Sequence, residues 1–140
     1  MHLGAQLLVA ALLILLVTLM HGFGVVLLTR LLRLEDAHLR AHRLDFRAFG
    51  ILTSMALSLF MLHALEIGLF ACFYLSTGAI DTLEQALYFS ASSYATLGHP
   101  DIPFPDQWRL LGAIEGLAGF LLIGWSTAVF VTDMNKLLRK

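Results

Sequence analysis

The sequence predicts an all-α integral membrane protein with three transmembrane helices and a shorter, re-entrant helical segment. Of the 140 residues, 59% are apolar and only 14% are charged. Average globular chains have about 45–50% apolar and about 25% charged residues, so both values point to lipid as the solvent. A chain this apolar cannot stay disordered in water, and a net charge of −1 without a basic stripe excludes nucleic-acid binding. Cys72 is the single cysteine, which excludes a disulfide scaffold.

The first span lies in the N-terminal part of the chain. Residues 3–29 contain no Asp, Glu, Lys or Arg, and a helix needs roughly 20 apolar residues to cross a bilayer. The stretch lacks a basic n-region and is longer than the apolar part of a signal peptide. We therefore expect a retained helix.

The second and third spans are almost as free of charge. Residues 48–80 are interrupted only by His63 and Glu66, and residues 110–132 only by Glu115. Eight of the nine basic residues fall in the loop after the first span or at the C-terminus: Arg30, Arg33, Arg40, Arg43, Arg47, Lys136, Arg139 and Lys140. The positive-inside rule places that loop and the C-terminus in the cytoplasm and the N-terminus outside.

The segment between the second and third spans predicts a short helix followed by a loop. Asp81 is expected to cap this helix, with Glu84 three residues later completing a capping box. A helix over residues 82–95 is too short to span a bilayer, and Gly98, Pro100, Pro103 and Pro105 follow it. This pattern indicates a re-entrant segment, whose non-helical backbone must be buried in protein or line a water-filled cavity.

Residues 86–101, ALYFSASSYATLGHPD, resemble the pore helix and selectivity filter of the potassium channel family, with its T-V-G-Y-G-D signature. Thr96, Gly98 and Asp101 match that signature, and Leu97 replaces Val. The third span resembles the inner helix of small bacterial potassium-channel-like proteins that carry one additional helix before the pore unit. The resemblance covers about residues 49–131. It implies a passive pore for potassium or other monovalent cations, formed by a homotetramer in the lipid bilayer.

The filter-like motif departs from the family at His99 and Pro100, where the family has Tyr and a second Gly. Filter carbonyls replace the hydration shell of the ion, and Pro restricts both its own backbone and that of the preceding residue. We expect Thr96, Leu97 and Gly98 to supply carbonyls, while His99, Pro100 and Asp101 shape an altered outer mouth. Selectivity for potassium over sodium would be weakened. Four protonated copies of His99 would repel cations, although His99 packed behind the loop is the alternative.

A stripe of small and polar residues runs along the third span. It leaves two interpretations open: close helix packing through Gly112 and Gly116, or the wall of a water-filled cavity at Ile123, Ser126 and Thr127. By the resemblance, Gly119 lies near the hinge of the inner helix. Both interpretations can hold at different depths.

Four ionisable residues lie inside the predicted spans: His21, His63, Glu66 and Glu115. Such residues usually face the protein interior and pair with one another. Glu115 is expected to support the filter from behind through Ser92, Ser93, Tyr94 or Arg109. His63 and Glu66, three residues apart, share a helix face. An interhelical hydrogen bond is the expectation there, and a metal or haem site with His21 is the alternative.

The sequence therefore divides into an N-terminal helix with a basic loop (1–47), a channel-like pore unit (48–135) and a basic tail (136–140). No catalytic motif is found, so we expect neither an enzyme nor a cofactor, and no soluble partner can be inferred. A bacterial inner membrane is the expected location. A non-conducting structural or sensory oligomer and a haem- or metal-binding membrane protein are the alternatives.

Overall fold

The computed structural model describes residues 3–36, 46–98 and 106–138. Within these ranges the chain forms four α-helices and one short 3-10 turn. The helices are α1 (Leu3–Asp36), α2 (Phe46–Ser76), α3 (Leu83–Tyr94) and α4 (Arg109–Leu138), and the turn is Asp106–Trp108. His99, Pro100 and Asp101, like the predicted basic loop at Arg40 and Arg43, lie outside the described residues.

Three of the described helices are long and apolar enough to cross a membrane. The candidate spans are Leu3–Leu31, Phe49–Ser76 and Arg109–Lys136. The predicted all-α membrane fold and its three spans are therefore confirmed in the described part of the chain. Large apolar side chains such as Leu12, Phe60 and Phe120 are exposed along these helices, as expected of surfaces that face lipid or a neighbouring copy.

Helix α2 runs antiparallel to α1 and α4, because two apolar clusters join opposite halves of α2 and of its two neighbours. At one end, Val17 of α1 packs in a cluster with Phe70 of α2, Phe89 of α3 and Leu111 of α4. At the other end, Val25 of α1 packs with Met55, Leu59 and Leu62 of α2, next to Val129 of α4. Helix α3 lies at the first end and contacts both α2 and α4.

Helix α3 begins one residue later than the sequence predicts. Thr82, not Asp81, is the N-cap: its backbone is extended (φ −122°, ψ 148°) and its hydroxyl accepts the Gln85 N–H at 3.3 Å. The prediction of Asp81 was wrong because Leu83 is the first helical residue, which puts Thr82 at the N-cap position. The Thr82 hydroxyl lies three residues before the N–H that it accepts, as a capping oxygen commonly does. With 12 residues, α3 is about 18 Å long and cannot cross the hydrocarbon core.

Helix α2 ends in a Schellman motif built on glycine. Gly78 has a φ of +64°, its N–H donates to the Leu75 carbonyl, and the Ala79 N–H donates to the Tyr74 carbonyl at 2.9 Å. Glycine adopts this left-handed conformation without a steric penalty. The buried Ala79 and Ile80 then hold the connection to α3 against the body of the protein.

Candidate functional site

The end of α3 repeats the same capping motif with threonine in place of glycine. Thr96 N–H donates to the Ser93 carbonyl at 2.8 Å, and Leu97 N–H donates to the Ser92 carbonyl at 2.9 Å. Thr96 has a φ of +59°, which is an outlier for a β-branched residue. Strained backbone of this kind persists where the surrounding structure imposes it, and it gathers at functional sites.

The segment after α3 alternates the sign of its backbone dihedral angles. Thr96 and Gly98 have positive φ values of 59° and 77°, and Leu97 between them does not. All three residues are exposed on the single chain, and Leu97 reaches 79%. The backbone of this segment is therefore accessible to a ligand.

Three glycines let α4 approach the end of α3 closely. A Cβ at Gly112 would lie 3.2 Å from the Phe89 ring, and one at Gly116 would lie 2.9 Å from the Ser93 carbonyl oxygen. A Cβ at Gly119 would collide with the Tyr94 carbonyl oxygen and lie 2.7 Å from the Tyr94 ring. Close helix packing therefore accounts for these positions. The hinge role of Gly119 stays a prediction.

A cavity of 750 Å³ lies between residues 96–98, which we call the filter-like segment, and the first half of α4. Thr96 and Gly98 line one side, and Arg109, Gly112 and Phe120 line the other. Arg109, predicted to support the filter, pairs with Asp106 at 3.3 Å, and both side chains are mostly exposed. Arg109 thus lies at the mouth of this cavity.

Glu115 of α4 joins α2 to α3 in the protein interior. Its fully buried carboxyl group accepts the Tyr74 hydroxyl at 2.6 Å and hydrogen-bonds to the Ser90 hydroxyl. Ser90 also lies 2.9 Å from the Ile67 carbonyl oxygen. Neither Tyr74 nor Ser90 is among the partners predicted for Glu115 from the sequence. Ser90 could have been found, because it lies four residues after Ala86 on the buried face of α3.

A second buried group, which we call the Glu66 cluster, contains His21, His63, Glu66 and Tyr94. His21 Nδ1 lies 2.8 Å from Glu66 Oε1, and His63 Nδ1 lies 2.9 Å from Oε2. The Tyr94 hydroxyl donates to Oε2 and is 2.9 Å from His63 Nδ1. The expected interhelical hydrogen bond is thus present between α1 and α2. Tyr94, predicted to act with Glu115, instead contacts Glu66 with its hydroxyl.

A comparison with protein-family models gives one match. The matching family is described as an ion channel, and the match covers residues 49–136, which is well over half of the chain. The chain belongs to this ion channel family. None of the curated proteins and none of the solved structures compared with it matches significantly. The resemblance to potassium channels is therefore confirmed, and the protein is an integral membrane protein.

The matched ion channel unit contains nearly all of α2 and α4 and the whole of α3, and it leaves out α1 entirely. Even so, α1 contributes the imidazole ring of His21 to the interior of that unit. His21 is fully buried, its Nε2 lies 3.4 Å from Ser126 Oγ of α4, and its ring centroid is 5.1 Å from that of Trp125. Helix α1 is consequently packed into the channel fold through a polar side chain.

The three residues of α4 predicted to line a cavity, Ile123, Ser126 and Thr127, have two different surroundings. Ser126 is buried against His21, so its assignment to a water-facing stripe with Ile123 and Thr127 needs correction. Ile123 and Thr127 are exposed, and the Thr127 hydroxyl donates to the Ile123 carbonyl at 2.8 Å. A helix face about 120° wide can contact more than one neighbouring element, and the spacing of residues in the sequence does not show where one contact ends and the next begins.

Proposed function

We propose that the chain forms a passive pore for monovalent cations, in which the backbone carbonyls of Thr96, Leu97 and Gly98 bind the ion. The observation that carries this proposal is the strained exit of α3. A helix too short to span the bilayer ends on Thr96 in the left-handed conformation, and an exposed backbone with alternating φ signs follows. Membership in an ion channel family supports the same function. Membership in this family also favours a function that is not enzymatic.

The electrostatics of α3 and its surroundings suit a cation. The C-terminal end of a helix carries a partial negative charge, and α3 directs this end into the filter-like segment. Asp81, Glu84 and Asp106 are exposed at the same end of the molecule, where carboxylates raise the local concentration of cations. Arg30 and Lys136 lie at the opposite end, which supports an outer position for α3 and a cytoplasmic C-terminus.

The working unit in this proposal is a homotetramer in a bacterial inner membrane. One filter-like segment cannot surround an ion, so several copies must bring their segments to one axis. A closed ring with identical interfaces does this, and four copies follow from the resemblance to potassium channels. The proposed unit covers residues 48–135, between the basic loop and the basic tail 136–140.

We further propose that the outer part of the filter is altered. Pro100 has no N–H and a fixed φ, and it biases His99 toward extended backbone. The carbonyl rings of the inner residues are retained in this proposal, while the ring near His99 and Pro100 is not. A filter with fewer ordered sites discriminates less between potassium and sodium.

Ion flux from liposomes tests this function. The purified chain is reconstituted, and potassium and sodium flux are measured across about pH 5 to 8, the range in which histidine titrates. We expect flux of both ions from the wild type. The double substitution His99→Tyr with Pro100→Gly should raise the selectivity for potassium, because it restores the residues that the filter geometry favours.

Substitution of Thr77, in the exposed turn after α2, is the matched control. Thr77→Ser should leave both flux and selectivity unchanged, since the Thr77 hydroxyl donates to the Phe73 and Tyr74 carbonyls of α2 and a serine hydroxyl can make the same bonds. Absence of flux at every pH would contradict the pore and favour a non-conducting structural or sensory oligomer. Unchanged selectivity in the double variant would contradict the altered filter.

A further inference from the structure

The Glu66 cluster brings three side chains of metal-ligating type to one buried point. One ligand atom each of His21, His63 and Glu66 lies within 4.8 Å of the other two. The side chains of His21 and Glu66 are fully buried, and that of His63 is 16% exposed. An ion with bonds of about 2.0–2.1 Å holds tetrahedral ligand atoms roughly 3.3 Å apart. Small side-chain movements are enough to reach that spacing.

The charge of the cluster favours a cation. Among the described residues, the hydrogen-bond partners of Glu66 are His21, His63 and Tyr94, and neither Lys nor Arg is among them. Within a membrane span, a carboxylate is costly unless a positive charge balances it. A divalent cation bound by the carboxylate and two neutral imidazoles supplies the missing positive charge.

The surroundings of His21 match those of a metal-bound imidazole. A ligating histidine usually donates its second ring N–H to an outer partner, which fixes the tautomer and the orientation of the ring. Here Ser126 Oγ lies 3.4 Å from His21 Nε2. The Trp125 ring packs against the imidazole with centroids 5.1 Å apart. On metal binding, Nδ1 would exchange its hydrogen bond with Glu66 for a bond to the ion, and Nε2–H would face Ser126.

We propose that His21, His63 and Glu66 bind one divalent transition-metal ion, with the fourth position open to the Tyr94 hydroxyl or to water. Imidazole nitrogen suits zinc, copper and nickel, whereas carbonyl oxygen suits harder ions. The site is therefore chemically distinct from the proposed carbonyl ligands at residues 96–98. A bound ion fastens α1 to α2 beside Tyr94, two residues before Thr96.

Zinc binding by the full chain, purified in detergent without a polyhistidine tag, tests this site. We expect one Zn²⁺ per chain, measured by elemental mass spectrometry after equilibrium dialysis. His21→Ala and Glu66→Gln should each weaken binding by more than about tenfold, which is the scale on which even outer partners change affinity. His42→Ala, between α1 and α2 in the sequence and outside the described residues, is the control and should bind zinc as the wild type does.

Cobalt substitution of the wild type gives a second readout that needs no variant. Co²⁺ held by four nitrogen and oxygen ligands absorbs visible light strongly, and six-coordinate Co²⁺ absorbs weakly. Weak absorption, no zinc in the wild type, or equal binding by His21→Ala would overturn the site and leave a proton as the balancing cation. Neither measurement uses ion flux, so failure of the metal-site proposal can be distinguished from failure of the proposed pore.

Discussion

Gly119 sets the distance between α4 and the end of α3. Because an added Cβ would collide with the Tyr94 carbonyl oxygen, the backbone of one helix must move if any side chain is introduced. We expect Gly119→Ala to lower the free energy of unfolding by about 1–3 kcal/mol, the usual cost of overpacking. Unfolding of the purified chain by a denaturing detergent, followed by circular dichroism, measures this change.

Gly124 provides the matched control for Gly119. It lies on the same helix, and no atom lies within 4 Å of a Cβ added there. Gly124→Ala should be neutral or stabilising, since alanine is favoured over glycine by about 1 kcal/mol inside a helix. Equal losses from the two substitutions would show that helix propensity or assembly, rather than contact with Tyr94, determines the effect.

The buried polar residues show how far residue types and spacing can be interpreted. The shared face of His63 and Glu66 follows from their separation of three residues, and the structure confirms their hydrogen bond. The partner of Tyr94 does not follow, because spacing gives no relative depth between helices. Ser90 and Tyr94 are separated by about 6 Å along α3, which is enough to place Ser90 at Glu115 and Tyr94 at Glu66.

At the scale of elements, the first turn of α3 depends on Thr82. Removal of an N-cap hydroxyl costs typically about 1 kcal/mol, so Thr82→Ala should speed hydrogen exchange of the Gln85 amide about fivefold. Asp81→Ala removes a charge before the helix but no capping bond, and we expect a smaller effect. Exchange measured by mass spectrometry on peptides covering α3 distinguishes the two variants. A larger effect of Asp81→Ala would contradict the assignment of the cap.

The order and type of the elements could be predicted from the charge-free stretches, but their ends could not. Helix α1 continues to Asp36 and α4 to Leu138, beyond the uncharged residues 3–29 and 110–132. The bilayer fixes the minimum length of an apolar helix and sets no upper limit, because backbone hydrogen bonding continues into water. Helix α2 stops earlier than the apolar stretch 48–80, since Gly78 ends it in a left-handed turn.

For the whole molecule, the proposed orientation gives a labelling pattern. In a Cys72→Ser background, a cysteine at the exposed Asp81 should react with a membrane-impermeant maleimide in intact cells. A cysteine at the exposed Lys136 should react only after the cells are lysed, because it lies at the opposite end of α4. The reverse pattern would invert the topology, and labelling of both positions in intact cells would contradict a single membrane crossing by α4 between them.

The contact of His21 with Glu66 also makes α1 a structural part of the matched unit. Helix α1 lies entirely before the matched unit at residues 49–136, yet the imidazole of His21 completes a buried group inside that unit. A chimaera in which an unrelated apolar helix replaces α1 would leave Glu66 with His63 and Tyr94 but without its bond to His21. We therefore expect the matched unit to need its own first helix for a fully satisfied interior.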